Sequence, residues 1–395
     1  MSTTAALDRQ TRPAPSSRPA SGVDPGIALA TGLLIGIGVV MSYSATAALA
    51  LDASFPPLFF DHLTGLVLGG VAASIAYHLP SSWLRNCAMP FWAFTMALLV
   101  ATLLFGIEVN GAQRWIALPG VRFQPGELAK CATLLAVAAW LSRKDDKREL
   151  STGRSIQAAG LAIAPAALLL MQPDLGNAVV LVVLSAGLLF IAGTPWPRFV
   201  LPGIAGVLIV SAYVVNNAYA WRRILGFLDP FREAQGAGWQ LVQSYVAFGQ
   251  GGFFGQGLGN GRQKLQYLPE VHTDFVLALV AEELGLVGVL LVLGGFAALW
   301  VAGTRAARRA TDRFDLYVGF GMVTLLTIPA FLNASVVMGL VPTKGLTLPF
   351  LSYGRTSLVV SCFALGLLLG VARRHPTRAR RAAPNTSSRE EGTRW

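Results

Sequence analysis

Long apolar runs alternate along this chain with short polar interruptions, and the runs recur at a nearly constant length. Ten of them cover residues 27–50, 58–79, 87–106, 127–141, 156–171, 175–192, 199–215, 273–302, 316–340 and 356–372. A helix of about 20 residues rises about 30 Å, the thickness of a bilayer's hydrocarbon core. The pattern therefore predicts an all-α polytopic membrane protein with about ten transmembrane helices. One connection stands apart from the rest. Residues 216–272 separate the seventh and eighth runs, and a loop of that size usually carries function.

Composition strengthens this picture. Hydrophobic residues make up 54% of the chain and charged residues 13%, against roughly a quarter charged in a soluble domain. Residues 1–24 and 373–395 are polar and rich in Pro, Ser, Thr or Arg, so they are expected to be disordered tails around a membrane domain of residues 25–372. The first tail lacks the apolar core of a signal peptide. Cys87, Cys131 and Cys362 lie in or beside apolar runs without metal-ligand spacing, and read as buried small hydrophobes. Gly32 with Gly36, and Gly65 with Gly69, have the small-xxx-small spacing that lets membrane helices approach closely.

Charge sets the expected orientation. With the N-terminus cytoplasmic, the inner segments hold Arg85, Arg143, Arg198, Arg305, Arg309 and Arg313 together with the basic tails, and the outer segments hold fewer cations. That bias places both termini inside, as an even number of spans requires. The net charge of +11 is then mainly an orientation signal; nucleic acid is not an expected partner, and the tail arginines suit anionic lipid.

Four outer connections carry the candidate chemistry. In "NGAQRWIALPGVRFQPGELAK", Pro125 opens a helix, Glu127 suits its first turn, and Lys130 shares a face with Glu127. A capped helix with a local ion pair explains these residues as well as a site does, although ionisable groups in membrane segments commonly mark cavities. In "MQPDLGNA", Asp174 reads as the cap of a tight turn. The long loop has many glycines between Gly249 and Gly261, but no Gly-Lys-Ser/Thr follows and no strand precedes, which argues against a nucleotide-binding loop. Val242 to Phe248 suits a short amphipathic helix, and Gln243, Gln250, Gln256, Gln263 and Gln266 supply uncharged groups suited to a sugar. In "GLVPTKGLTLPFLSYGRTS", prolines and glycines around Lys344 and Arg355 predict irregular backbone lining a cavity. Carboxylates and cations thus gather on one side of the membrane beside an apolar body, a pattern that fits an amphiphilic substrate with an anionic head group.

The motifs "FQPGELAK", "QPDLG", "FLDPF", "GWQLVQS", "GLGNGRQKLQYLPEVHTDF", "EELG" and "PTKGLTLPFLSYG" occur in that order. On them the chain resembles the SEDS family (shape, elongation, division and sporulation), and the wording "PTKGLTLPF" is nearer its division branch. The resemblance implies a ten-span fold and a glycosyltransferase that polymerises lipid II into glycan strands at the outer face of the inner membrane, in septal wall synthesis. It also implies a class B penicillin-binding protein, an FtsI-like transpeptidase, as partner, with other division proteins around them. The family's essential acid falls on Asp274, and its acid and lysine on Glu127 and Lys130.

The residues themselves are compatible with that chemistry. A carboxylate at a low-dielectric helix mouth has a raised proton affinity, which suits a base taking the acceptor hydroxyl's proton. Arg114, Lys130, Arg222, Arg223, Lys264, Lys344 and Arg355 are candidate cations for the diphosphate, alone or with a divalent ion such as Mg or Mn. Gly126, Asn177, Gly261 and Arg355 with Thr356 depart from the family's usual residues; Arg355 adds bulk and charge where a small residue is usual. Two rival functions stay open, a lipid II flippase and a non-catalytic scaffold of the division machinery. Concentration of ionisable groups at the outer mouth favours surface chemistry, while Glu282 and Glu283, deeper along the helix after Asp274, keep transport in view.

Overall fold

The structure is a computed structural model and describes residues 23–47, 56–109, 112–118, 121–143, 151–267 and 272–376. Most of both expected tails, and Glu270, fall outside the described residues. Among these residues twelve α-helices are formed: α1 (Pro25–Ala47), α2 (Pro57–His78), α3 (Ser81–Phe105), α4 (Pro125–Leu141), α5 (Thr152–Met171), α6 (Leu175–Ile191), α7 (Pro197–Asn216), α8 (Ala218–Leu228), α9 (Trp239–Gly251), α10 (Val276–Arg308), α11 (Arg313–Val337) and α12 (Arg355–Arg374). Each of the ten apolar runs is one of these helices, and α8 and α9 lie within the long connection. Eight helices are long and apolar enough to cross a membrane among the described residues. This is a multi-pass membrane protein.

The two remaining apolar helices, α4 and α6, have 17 residues each. At 1.5 Å per residue they rise about 25 Å, short of a full hydrocarbon core. The loops that continue them therefore bring polar residues into the body of the protein. Helix α4 is enclosed on all sides, with every residue buried except Leu128 and Trp140. Its alanines make that possible by letting neighbouring helices close in. Helix α7 is the opposite extreme and has no buried residue.

The glycine pairs separate cleanly. A Cβ on Gly65 would meet Leu358 Cδ2 at 3.1 Å, and one on Gly69 would meet Cys362 Sγ at 2.8 Å, so this pair seats α12 against α2. Gly32 and Gly36 face open space. The spacing alone did not distinguish them.

One element departs from the all-α expectation. Between α3 and α4 the chain forms a small antiparallel sheet, β1 (Ile107–Val109), β2 (Ala112–Leu118) and β3 (Val121–Phe123), in the order β1-β2-β3. Its strands are too short for an alternating pattern to stand out beside helical runs of 20 residues.

Helix α10 spans 33 residues, about 50 Å, which exceeds the hydrocarbon core. Gly285 breaks it with φ 68° and ψ −162°, leaving 23 residues after the break, enough for one span. The break exposes carbonyls that other backbone must satisfy. Gln256 N and Gly257 N donate to Glu282 O and Glu283 O at 2.9 and 3.1 Å, so the glycine-rich loop fills the kink.

Ion pairs close one end of the bundle. Asp24 meets Arg309 at 3.1 Å, Arg85 meets Asp312 at 2.5 Å, and Asp315 accepts from Ser81 and Arg374. His375 Nε2 also lies 3.0 Å from Asp315. These contacts put the start of α1 and the end of α12 at the same end.

Candidate active site

The opposite end holds the candidate chemistry, and α4 contributes first. Pro125 occupies the first turn, where a missing amide costs nothing, and Glu127 follows it. Glu127 and Lys130 are both buried, and Lys130 Nζ meets Glu127 Oε1 at 2.8 Å. The same ammonium donates to Asn177 Oδ1 at 2.8 Å, and Asn177 Nδ2 donates to Asp174 Oδ2 at 2.8 Å. Asp174 also caps α6 by accepting from Asn177 N at 3.3 Å, and Gln124 Nε2 donates to its other oxygen at 3.4 Å. The local ion pair and the capped turn read from sequence are both present. Asn177 joins them into one buried polar chain.

A cavity of about 480 Å³ opens beside this chain. Its apolar wall comes from α6, α7, α8 and α11, including Val180, Val210, Leu332 and Val336. Its polar lining is Arg114, Asp174, Arg223 and Lys344 with Tyr213 and Asn217. Arg114 on β2 donates to Pro173 O, while its Nε is buried and without a partner among the described residues. Arg223 donates to Thr343 O at 3.1 Å. Burial pushes the Lys344 amine below its ordinary value; Asp174 opposes that shift and Arg223 adds to it. A smaller space of about 40 Å³ is lined by Glu127, Lys130 and Asn177. Gly345 and Leu346 line both spaces, so the loop carrying Lys344 is their shared wall.

Asp274 lies at the head of α10, half-buried, against this same loop. Its Oδ2 occupies the position beside Gly345 where a Cβ would come within 2.8 Å. Asn333 Nδ2 on α11 donates to Asp274 O at 2.7 Å and to Leu346 O at 2.6 Å. Twenty residues separate Asn333 from Arg313 at the ion-paired end, a rise of about 30 Å. Asp274 is therefore a full membrane thickness from that end. Tyr353 N donates to His272 O at 2.8 Å and anchors the segment leading to Asp274.

The other candidates are dispersed. Arg222 is exposed on α8, and its neighbour Arg223 is the one that turns into the cavity. Lys264 is buried in an ion pair with Glu283 at 2.8 Å, and also donates to Ser44 Oγ and Gly259 O at 3.0 and 2.7 Å. Glu282 accepts from the backbone of Arg262 and Gln263 at 2.6 and 3.2 Å. Both acids therefore grip the glycine-rich loop. A Cβ on Gly261 would come within 2.8 Å of Glu282 Oε2 and 2.9 Å of Glu283 Oε1, which explains a glycine there. Arg355 meets Asp61 on α2 at 3.4 Å and lines neither cavity. Tyr353 also donates to Asp61 at 3.0 Å, and burial with that carboxylate pushes its phenol up to about 12.

Sequence reading did not single out Asn333, and it took Asn177 only as a departure from pattern. A lone buried amide in an apolar run was the available signal for Asn333. Among the described residues no group of three or more His, Cys, Asp or Glu side chains is placed to hold a metal ion. The groups available for an anionic ligand are the cavity's cations.

Residues 26–377 match the sequence model of the FtsW/RodA/SpoVE family, described as cell cycle protein. The chain belongs to this family. It is 43% identical over 343 residues to the probable peptidoglycan glycosyltransferase FtsW of Geobacter metallireducens, covering 85% of this chain and 91% of that protein. It is 40% identical over 343 residues to the protein of the same name from Trichlorobacter lovleyi, covering 86% and 90%. Among solved FtsW/RodA/SpoVE structures, the rod shape determining protein RodA of Thermus thermophilus matches with a TM-score of 0.68 at 29% identity, over 91% of this chain and 99% of that one. A chain from a peptidoglycan synthase complex that coordinates polymerization and crosslinking matches with a TM-score of 0.75 at 30% identity, over 90% and 99%. Family membership bears out the resemblance read from the motifs.

Proposed function

We propose that this chain is a peptidoglycan glycosyltransferase that polymerises lipid II at the outer face of the cytoplasmic membrane, during septal wall synthesis. One observation carries the reading. A cavity of about 480 Å³ has apolar walls that include the otherwise unburied α7, polar groups Arg114, Asp174, Arg223 and Lys344 on its lining, and in its wall Gly345, behind which the Asp274 carboxylate packs. Such a space suits a ligand with a lipid tail and an anionic head. The names of the relatives supply the substrate class.

The chemistry follows from the groups present. The acceptor sugar's C4 hydroxyl oxygen attacks the donor's anomeric carbon from the face opposite its diphosphate. The new C–O bond forms as the anomeric C–O bond to the diphosphate breaks, which inverts that carbon. Asp274 takes the hydroxyl proton. Arg114, whose Nε has no partner among the described residues, Arg223 and Lys344 hold the departing diphosphate, and a preorganised cation of this kind contributes on the order of 10²–10³ in rate. The Glu127–Lys130–Asn177–Asp174 chain fixes the floor on which those cations stand.

A class B penicillin-binding protein is the proposed partner, consistent with the synthase complex that this fold matches. The test is to supply labelled lipid II to the purified full-length chain, with and without its cognate transpeptidase, in detergent where no translocation can occur. Glycan strands are expected. Their absence under all conditions would leave the flippase and scaffold readings standing.

A further inference from the structure

Asn333 is fully buried near the end of α11, among apolar side chains. A side-chain amide has two hydrogens, and here they go to two carbonyls, Asp274 O at 2.7 Å and Leu346 O at 2.6 Å. The amide cannot be turned over, because that would set its oxygen against both carbonyl oxygens. Its Oδ1 has no hydrogen-bond partner among the described residues, and a buried unsatisfied acceptor lowers stability. The fold tolerates that cost at a point that joins two segments far apart in sequence. One bears Asp274, and the other bears Lys344 and lines both cavities.

Gly345 supplies an independent observation. The three atoms nearest a Cβ added there are Asp274 Oδ2 at 2.8 Å, Cγ at 3.6 Å and Oδ1 at 3.9 Å. Its φ lies outside the left-handed range, so the backbone does not itself require glycine. What the position requires is room for one carboxylate.

We propose that Asn333 is a positioning residue for Asp274. It ties the backbone of Asp274 to the loop at Leu346 and so seats the carboxylate in the clearance left by Gly345, on the wall common to both cavities. The inference rests on the reading of Asp274 as the base. Asn333 touches no substrate in this role; it acts through where the base points. Misplacing a reacting group by about 1 Å costs about 10²-fold in rate.

The test is steady-state polymerisation of lipid II by the full-length chain with its transpeptidase in detergent, for Asn333→Leu, Gly345→Ala, the double variant and Asp274→Asn. Asn333→Leu and Gly345→Ala should each lower kcat about 10²-fold with KM nearly unchanged. The double variant should fall well short of about 10⁴-fold, because both changes displace the same carboxylate. If Asn333→Leu fails to fold, the smaller Asn333→Ala takes its place, and Gly345→Ala tests the clearance, since its added methyl group presses on Asp274. Unchanged kcat in Gly345→Ala, or a fully multiplicative double loss, overturns the proposal. If Asp274→Asn stays active, the base reading itself fails. If Asp274→Asn is inactive while the two positioning variants keep full kcat, only this inference fails.

Discussion

Two buried lysine–glutamate pairs close at the same distance in this protein, Lys130 with Glu127 and Lys264 with Glu283, each at 2.8 Å. By sequence Glu127 and Lys130 open an apolar run on the expected outer side, whereas Lys264 lies in the long connection and Glu283 deeper along the helix after Asp274. Their surroundings differ. The first pair lines a cavity and continues through Asn177 to Asp174 at the edge of the larger one. The second is enclosed by Ser44, Gly259 and the backbone of the glycine-rich loop, in the kink that Gly285 makes in α10. Burial and charge pairing therefore do not mark a catalytic group. What separates the two pairs is the open space beside the first.

Removing one acid should separate the two pairs most widely. Glu283→Ala leaves Lys264 buried without its counter-charge, and such a loss costs about 3–5 kcal/mol. Thermal unfolding of the purified chain should reveal it, along with faster proteolysis between Gly252 and Lys264. An unshifted unfolding curve would refute the clamp.

Lys130→Met should act in the other direction, on turnover more than on stability. Polymerisation is expected to fall by about 10²-fold as the floor beneath the diphosphate cations shifts, while the unfolding temperature moves less than in Glu283→Ala, because the space beside Glu127 admits water to its carboxylate. Equal effects on folding for both variants would erase the distinction between the pairs.

Lys344 sharpens the same contrast through pH. Burial lowers its pKa below 10.5, and a bound diphosphate favours the protonated amine. Charge is present below the lowered value and lost as pH rises through it. The KM for lipid II should therefore begin to climb at a pH below 10.5, by about 10-fold for one charge-assisted hydrogen bond. Lys344→Arg should keep KM flat over that range. A climb that persists in Lys344→Arg would assign the titration elsewhere.

Arg355 is expected to give the smallest effect. Its partner Asp61 is a third exposed, and a pair so placed contributes about 0–1 kcal/mol. Arg355→Gly should leave both folding and polymerisation almost unchanged. A large loss of turnover would place this arginine in the substrate path after all.

The sequence made the helices legible because a bilayer demands length and apolarity, and each of the ten runs became a helix. Gly65 and Gly69 were legible as small residues, but only the packing of Leu358 and Cys362 separated them from Gly32 and Gly36. The sheet between α3 and α4 was not legible, because short strands leave no periodic signature. The gathering of Glu127 and Lys130 on the smaller space and of Arg114 and Lys344 on the larger cavity beside it followed the expected clustering, whereas Lys264 and Arg355 went elsewhere. Which charge faces space and which faces a loop depends on helix rotation and on the kink at Gly285, and neither is written locally. Asn333 escaped notice because its two partners, at positions 274 and 346, are brought to it only by the fold.

Asp274 is proposed as the base of a glycan polymerase. The most direct measurement is the rate of strand formation from lipid II by the full-length chain with its transpeptidase in detergent, wild type against Asp274→Asn. A carboxamide keeps the size of the side chain and removes its ability to take the proton, so the rate should fall by at least about 10²–10⁴-fold while lipid II still binds. Strands formed at an undiminished rate by Asp274→Asn would contradict the account.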